Sequence, residues 1–417
     1  MKINKEHIQN TNKSILEDHN DNFDFLANKL TKNGHKVEEI ISKLSEFQVA
    51  IPSWALGAGG TRFGRFSFYG EPSTLEQKLE DVGVLHALTQ TAGAVSLHIP
   101  WDVPSDYAAI KQQADSLHIK FDSVNSNTFQ DQKNTSESYK YGSLSNTNKD
   151  VREQAIQHNL EVIKIGNKLG SKSLTVWLAD GSCFPGQNNF QTAFQNTQNS
   201  LKDIYKGLPE DWKMLIEYKP YEPNFYSTVI QDWGASLMLA NGCGEKAFTL
   251  VDLGHHLPNS NIEQIVSILQ LNDSKYGDDD LTVGSIKPYA LFLIFNELVY
   301  GMENNPQNPD LAWMIDASHN VKDPLEDLIQ SLEAIQEAFA KALLIDQDEL
   351  KAAQLDNDVV KCQEILQGAY RTDVRPLIEK ARLNSGGVIS PINAYRSLDV
   401  RNQLIKERGR NTVATGL

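Results

Sequence analysis

Short apolar runs rich in β-branched residues recur along the chain, and longer stretches with helical apolar spacing separate them. The runs lie at 48–52 (QVAIP), 94–98 (AVSLH), 120–125 (KFDSVN), 173–177 (SLTVW), 214–218 (MLIEY), 248–252 (FTLVD) and 312–316 (AWMID), with a weaker one at 269–272 (LQLN). Runs of this kind predict strands, and the amphipathic segments between them, such as 75–89, 151–169 and 190–206, predict helices. Strands alternating with helices predict repeated βα units on a parallel sheet. Eight such units predict an α/β fold, a closed (β/α)8 TIM barrel over residues 46–320.

Residues 1–45 read as one or two polar helices, an N-terminal helical segment. Residues 321–417 read as helical almost throughout, at 324–343, 347–367, 376–383 and 391–406, with a polar, frayed tail over 407–417. So much helix after a closed barrel must bury its apolar stripes somewhere. We expect an oligomerisation extension gripping a neighbouring subunit, with packing on the same barrel as the alternative. One junction is abnormal: residues 259–269 read as helix, yet the next strand must begin within a residue or two. Helix-to-strand connections usually take longer than that, so either the seventh strand is very short or a piece of chain is missing there.

Composition narrows the partners. The 417 residues carry 39 Lys and Arg against 54 Asp and Glu, a net charge of −15. So acidic a surface repels phosphate backbones and anionic lipid, which argues against nucleic-acid and membrane partners. No segment approaches the length and apolarity of a membrane span, and the N-terminal residues lack the apolar core of a secretion signal. Cys183, Cys243 and Cys362 are too few and scattered for a disulfide framework or a thiolate zinc site. These features predict a soluble cytoplasmic protein.

In a barrel the reacting groups gather at the C-terminal ends of the strands. His98 ends the second run and Trp177 the fourth, with Asp180 just beyond; Glu217 closes the fifth and Lys219 follows it. Asp252 ends the sixth run, followed by His255 and His256; Asp278-Asp279-Asp280 follow the seventh, and Asp316, with His319 after it, closes the eighth. So many carboxylates on one rim repel each other unless divalent cations relieve them. Oxygen-rich ligation with an imidazole suits Mn²⁺, with Co²⁺, Mg²⁺ or Zn²⁺ as alternatives. Plainer readings stand beside several of these. Asp102, near Pro104, reads as a helix cap, the Asp278–Asp280 run as a solvated loop, and His256 as packing or solvent-facing. Trp54, Trp101 and Trp177 serve equally as core filler or as sugar-stacking surfaces. The glycine-rich 57–64 segment lacks both the P-loop and the dinucleotide spacing and reads as a flexible loop, with a rim segment over substrate as the other reading.

Long segments then carry a specific likeness: IPSWALGAGGTRFGRF (51–66), VSLHIPWD (95–102), FDSVNSNTFQDQ (121–132), LTVWLADG (174–181), IEYKPYEPNFY (216–226), VDLGHHLPN (251–259), NDSKYGDDDLTVGSI (272–286) and MIDASHNVKDP (314–324). Across almost the whole chain the sequence resembles the L-rhamnose isomerase family of metal-dependent sugar isomerases. The resemblance implies a (β/α)8 barrel with a helical tail, a homotetramer, and interconversion of L-rhamnose and L-rhamnulose, with rarer sugars accepted. It implies two divalent cations: a structural one on Glu217, Asp252 and Asp316, and a catalytic one on His255, Asp278 and Asp280, with Asp252 near enough to bridge. It implies His98 for ring opening, Lys219 for proton shuttling, Asp316 beside them in catalysis, and a substrate pocket bounded by Trp54, Trp101, Trp177 and Asp180. Ring opening needs an acid–base group, and the ordinary range of histidine suits His98 to it. Hydrogen then moves between C1 and C2 as a hydride, or as a proton through an enediol. No nicotinamide or phosphate site is required.

The chain departs from this family at one place. Where the family carries a histidine ligand in a phrase resembling Gly-Gly-Phe-His-Phe-Asn, this sequence reads Ser267-Ile268-Leu269-Gln270-Leu271-Asn272. The loop before it is also missing, at the junction already marked as too short. A natural variant with a repaired register, a deletion, and an inactive relative all fit. Two rival functions remain: a barrel endonuclease, which the charge opposes, and a catalytically impaired isomerase-like barrel kept as a binding scaffold, which the missing histidine favours.

Overall fold

The computed structural model describes residues 3–57, 68–133, 135–222, 225–269, 281–304, 312–316 and 321–410, with the backbone of 276–277. Three helices come first: α1 (Lys5–Lys13), α2 (Leu16–Lys32) and α3 (Val37–Glu46). The barrel units follow as β1 (Ala50–Pro52), α4 (Leu75–Thr89), β2 (Ala94–His98), α5 (Tyr107–Ser116), β3 (Lys120–Asn125), α6 (Lys149–Leu169) and β4 (Ser173–Trp177). Then come β5 (Gly181–Ser182), α7 (Phe190–Lys206), β6 (Lys213–Glu217), β7 (Ser227–Thr228), α8 (Trp233–Cys243), β8 (Ala247–Asp252), α9 (Ile262–Leu269), β9 (Tyr276–Gly277) and α10 (Pro288–Asn304). The chain closes with α11 (Pro324–Ala342), α12 (Gln347–Leu355), α13 (Val359–Tyr370), α14 (Arg375–Asn384), α15 (Pro391–Ser397) and α16 (Val400–Arg408).

Seven strands form one parallel sheet in the order β1-β2-β3-β4-β6-β8-β9, while β5 and β7 make a small antiparallel ribbon at its rim. The segment 312–316 joins the free edge of β1 through a parallel bridge between Ala50 and Met314. Ala50 N–H donates to the Trp313 carbonyl, and Ile315 N–H to that of Ala50. Among the described residues the sheet is therefore continuous from 312–316 round to β9, and no pairing of β9 with 312–316 is described. The fold is α/β with a parallel, barrel-like sheet; its closure lies outside the described residues.

Strand alternation explains which side chains meet. Val95, Leu97, Leu174, Val176, Met214 and Ile216 are buried apolar positions, and the alternate positions His98, Trp177 and Glu217 point to the other face. The register sets Trp177 opposite Glu217, so β4 and β6 finish level, and Glu217 opposite Leu250, so β8 runs two residues further to Asp252.

Four expectations need correction. The seventh strand does not begin at Leu269, which ends α9; residues 270–272 lie outside the described residues, and the strand described beside β8 is Tyr276–Gly277. The N-terminal segment holds three helices. The helix expected over 347–367 is two, because Asn357 takes a left-handed φ of 57° and the Asp358 side chain caps the next helix on Lys361 N–H. The stretch 391–406 breaks likewise at Asp399, whose φ is 53°.

The C-terminal helices pack on their own chain. α11 lies on α4 and α10, and α14 on α2 and α3. The chain beyond 406 is pinned rather than frayed as far as it is described: Arg408 donates to Asp81 at 2.9 Å and to the Gly70 carbonyl. Burial raises the Asp81 pKa, and the Arg408 guanidinium opposes that rise. Left exposed on α12 and α13 are Leu355, Val359 and Val360. No described helix is long and apolar enough to cross a membrane.

Candidate active site

Glu217 and Asp252 end neighbouring strands β6 and β8, and a tight turn after β8 folds His255 back beside them. Within that turn Gly254 N–H donates to Asp252 Oδ1 at 2.7 Å and His255 N–H to the Asp252 carbonyl at 3.2 Å. All three side chains are buried, with ligand atoms within 4.8 Å of one another. His255 Nδ1 lies 3.3 Å from Glu217 Oε1. Two carboxylates and an imidazole crowded out of water are the donor set of a hard or borderline divalent cation. Asp316 does not belong to this three-residue group; its Oδ1 accepts the Trp54 indole N–H at 2.9 Å. Asp278, Asp280 and His319 lie outside the described residues, as does nearly all of 57–64.

The other wall is aromatic. His98 stacks on Trp101 at 4.2 Å between ring centroids and meets Trp54 edge-on at 5.6 Å. Phe129 touches three of these groups: His98 at 5.6 Å, Trp101 at 6.2 Å and Trp177 at 4.9 Å. Lys219 Nζ sits 5.7 Å above the Trp177 ring and 3.1 Å from Glu222 Oε1, both charges being buried. Trp54, His98, Trp101, Trp177 and Lys219, expected from sequence to share a pocket, thus form one connected surface, and Asp316 joins it through Trp54.

Burial dominates the electrostatics of His98. It lowers the pKa to about 3, outweighing the opposing pull of Asp102. The sequence argument rested on the ordinary range of histidine; in the fold the resting ring is neutral, a proton acceptor rather than a standing acid. His256 is likewise lowered to about 4, first by burial and then by His255. Its Nε2 lies 3.0 Å from the buried Tyr218 hydroxyl, so its packing reading stands.

Two carboxylates have other work than expected. Asp102 is no helix cap, since Asp106 caps α5. Asp102 accepts the Ser53 hydroxyl, Lys78 Nζ at 2.6 Å and the His98 backbone N–H at 2.8 Å. Asp180 accepts the N–H and O–H groups of both Ser143 and Ser145, between 2.7 and 2.9 Å. This ties the loop after β3 to the exit of β4, and a Cβ at Gly142 would press against that carboxylate at 3.3 Å. Phe129, Lys78 and Glu222 were not singled out from sequence. Lys78 lies on α4, far from any strand end, and gives no local signal. Phe129 stands four residues past β3 and was readable as one more aromatic near a strand end.

No family profile matches the chain. A probable sugar isomerase from Rhizobium meliloti is 48% identical over 395 residues, covering 93% of this chain and 92% of that protein. Another from Mesorhizobium japonicum is 48% identical over 423 residues, covering 99% and 98%. That alignment is longer than this chain, so the relative carries residues this chain lacks. Among solved structures, an L-ribulose 3-epimerase aligns with a TM-score of 0.51 at 13% identity, over 75% of this chain and 98% of that one. A 3-keto-D-glucoside 4-epimerase from E. coli gives 0.52 at 10% identity, over 69% and 99%. These last likenesses concern the fold.

Proposed function

We propose, on the premise that the chain belongs to the family of these probable sugar isomerases, that it interconverts an aldose and its ketose at this site. The pair we infer is L-rhamnose and L-rhamnulose, from the motif likeness; the named relatives support the coarser activity. One observation carries the reading: Glu217, Asp252 and His255 converge in a buried cluster beside an aromatic wall that holds His98 and Lys219.

The donor set fits a divalent cation, for which we infer Mn²⁺ first. Glu217, Asp252 and His255 would hold it, with Asp316, Asp278 and Asp280 as the further ligands that the motif likeness supplies. When bound, it provides Lewis acidity for the sugar oxygens. The neutral His98 imidazole takes the proton of the anomeric hydroxyl and returns it to the ring oxygen as the bond from C1 to that oxygen breaks. The net change moves one proton between two sugar oxygens. Lys219, braced by Glu222 against Trp177, presents a positive charge to an oxygen that becomes negative as hydrogen passes between C1 and C2. Trp54, Trp101, Phe129 and Trp177 keep water from the open chain and offer flat faces to sugar C–H groups. The same reading has the chain act in the cytoplasm as a homotetramer, in which exposed apolar side chains such as Leu355, Val359 and Val360 would be covered.

The experiment is Mn²⁺ titration of the purified chain together with an assay of L-rhamnose conversion. Saturable metal uptake with turnover supports the reading. Neither uptake nor turnover would leave the scaffold alternative. Uptake with turnover of a different aldose would keep the isomerase and change the sugar.

A further inference from the structure

We propose that His158, a histidine of α6 outside the aromatic wall, is the positioning residue for His98. His158 Nε2 accepts the Asn127 backbone N–H at 3.0 Å, and the Ile99 backbone acts on both the His158 and the His98 imidazoles, opposing the lowering of each pKa by burial. Asn127 stands two residues past the end of β3, and Ile99 directly follows His98 at the end of β2. Ile99 N–H in turn donates to the Asn125 carbonyl at 3.0 Å. From its helix, His158 therefore fastens the junction between the end of β2, which carries His98, and the loop after β3, which carries Phe129.

Three further observations favour a positioning role over passive packing. The Asn127 side-chain amide is fully buried with no partner among the described residues, so that residue is held through its backbone. There its carbonyl accepts only a long bond from Gln132, at 3.4 Å, while its N–H makes the short one to His158. His98 Nδ1 is also buried without a partner among the described residues, so no side-chain hydrogen bond at that nitrogen fixes its ring. Its orientation comes from the rings around it and from the loop beneath. Lastly, the tie requires a neutral His158, because an Nε2 that accepts an N–H bears no proton. Burial keeps His158 in that form, with its pKa lowered to about 4.

The inference rests on the reading of His98 given above, so its test has an arm that needs no turnover. The full chain is labelled with ¹⁵N-histidine, the His98 ring signals are assigned with a His98→Gln variant, and His158→Phe and His158→Gln are compared with the unmodified protein. In H158F, kcat on L-rhamnose should fall roughly 10- to 100-fold with KM within about twofold, and the His98 signals should move. In H158Q, whose amide oxygen can accept the Asn127 N–H, both should return towards the unmodified values. Should H158F fail to fold, His158→Leu takes its place in the same comparison. Unmoved His98 signals in the apolar variant, or an H158Q as impaired as H158F, would overturn the proposal. If the unmodified chain converts no aldose, the functional reading fails while the His98 signals still decide the role of His158.

Discussion

Two buried carboxylates in this site, Asp102 and Asp252, follow opposite rules. Asp102 brings its own counter-ion: Lys78, Ser53 and the His98 backbone all donate to it, so it is matched as the protein stands. Asp252 instead shares its corner with a second carboxylate, Glu217, and with His255. A matched buried charge holds a loop in place, whereas crowded donor atoms hold a place for something else. The contrast separates the part of the site that supports from the part that receives.

The comparison can be broken most forcefully at Lys219. Lys219→Met should lower kcat about 10²-fold or more while leaving divalent binding intact, because Lys219 acts on the sugar rather than on the cation. Steady-state kinetics beside calorimetric Mn²⁺ binding checks this, and loss of metal binding would merge the two halves of the site into one. A sharper test applies the same substitution to both carboxylates. Asp102→Asn should destabilise the chain by about 3 kcal/mol, because it breaks the ion pair of the buried Asp102 with the partly buried Lys78. In metal-free protein, Asp252→Asn should leave stability unchanged or raise it by about 1 kcal/mol, because it removes one of two crowded like charges. Urea unfolding of the two variants gives both numbers, and equal losses would erase the contrast.

A further test uses acid. His86, His158 and His256 are held neutral by burial at about 4, and His98 at about 3, against 6.5 for the free side chain. Each folded value lies below the unfolded one. As pH falls below about 6.5 the unfolded chain takes up protons first, so the contribution of these residues to stability is complete above that pH and lost towards pH 4. Each contributes a slope of up to about 1.4 kcal/mol per pH unit. H158Q should make the fall shallower between pH 6 and 4, read from urea midpoints; an unchanged slope would show that His158 is not held neutral.

Much of this arrangement was legible in the chain because strand ends are local features. AVSLH, SLTVW, MLIEY and FTLVD each end at or beside a residue that the fold delivers to the site, and alternation along a strand fixes the face on which His98, Trp177 and Glu217 appear. What stayed hidden depends on partners remote in sequence. Asp102 looked like a cap because Lys78, on a preceding helix, cannot be paired with it by spacing. Asp180 looked like a ligand for sugar, but its oxygens are filled by two serines of a loop some forty residues earlier in the chain. The resting state of His98 follows from burial among Trp54, Trp101 and Phe129, which no single segment reveals. The short seventh unit was legible as a conflict of lengths; among the described residues it contributes Tyr276–Gly277 beside β8.

The central claim is that Glu217, Asp252 and His255 hold a divalent cation for sugar chemistry. Calorimetric titration of Mn²⁺ into the full chain and into Asp252→Ala tests it most directly, with L-rhamnose conversion followed in the same samples. The account predicts saturable binding and turnover in the unmodified protein, and loss of both in the variant. Turnover that survives in Asp252→Ala, or that proceeds in the unmodified chain without metal uptake, would contradict it.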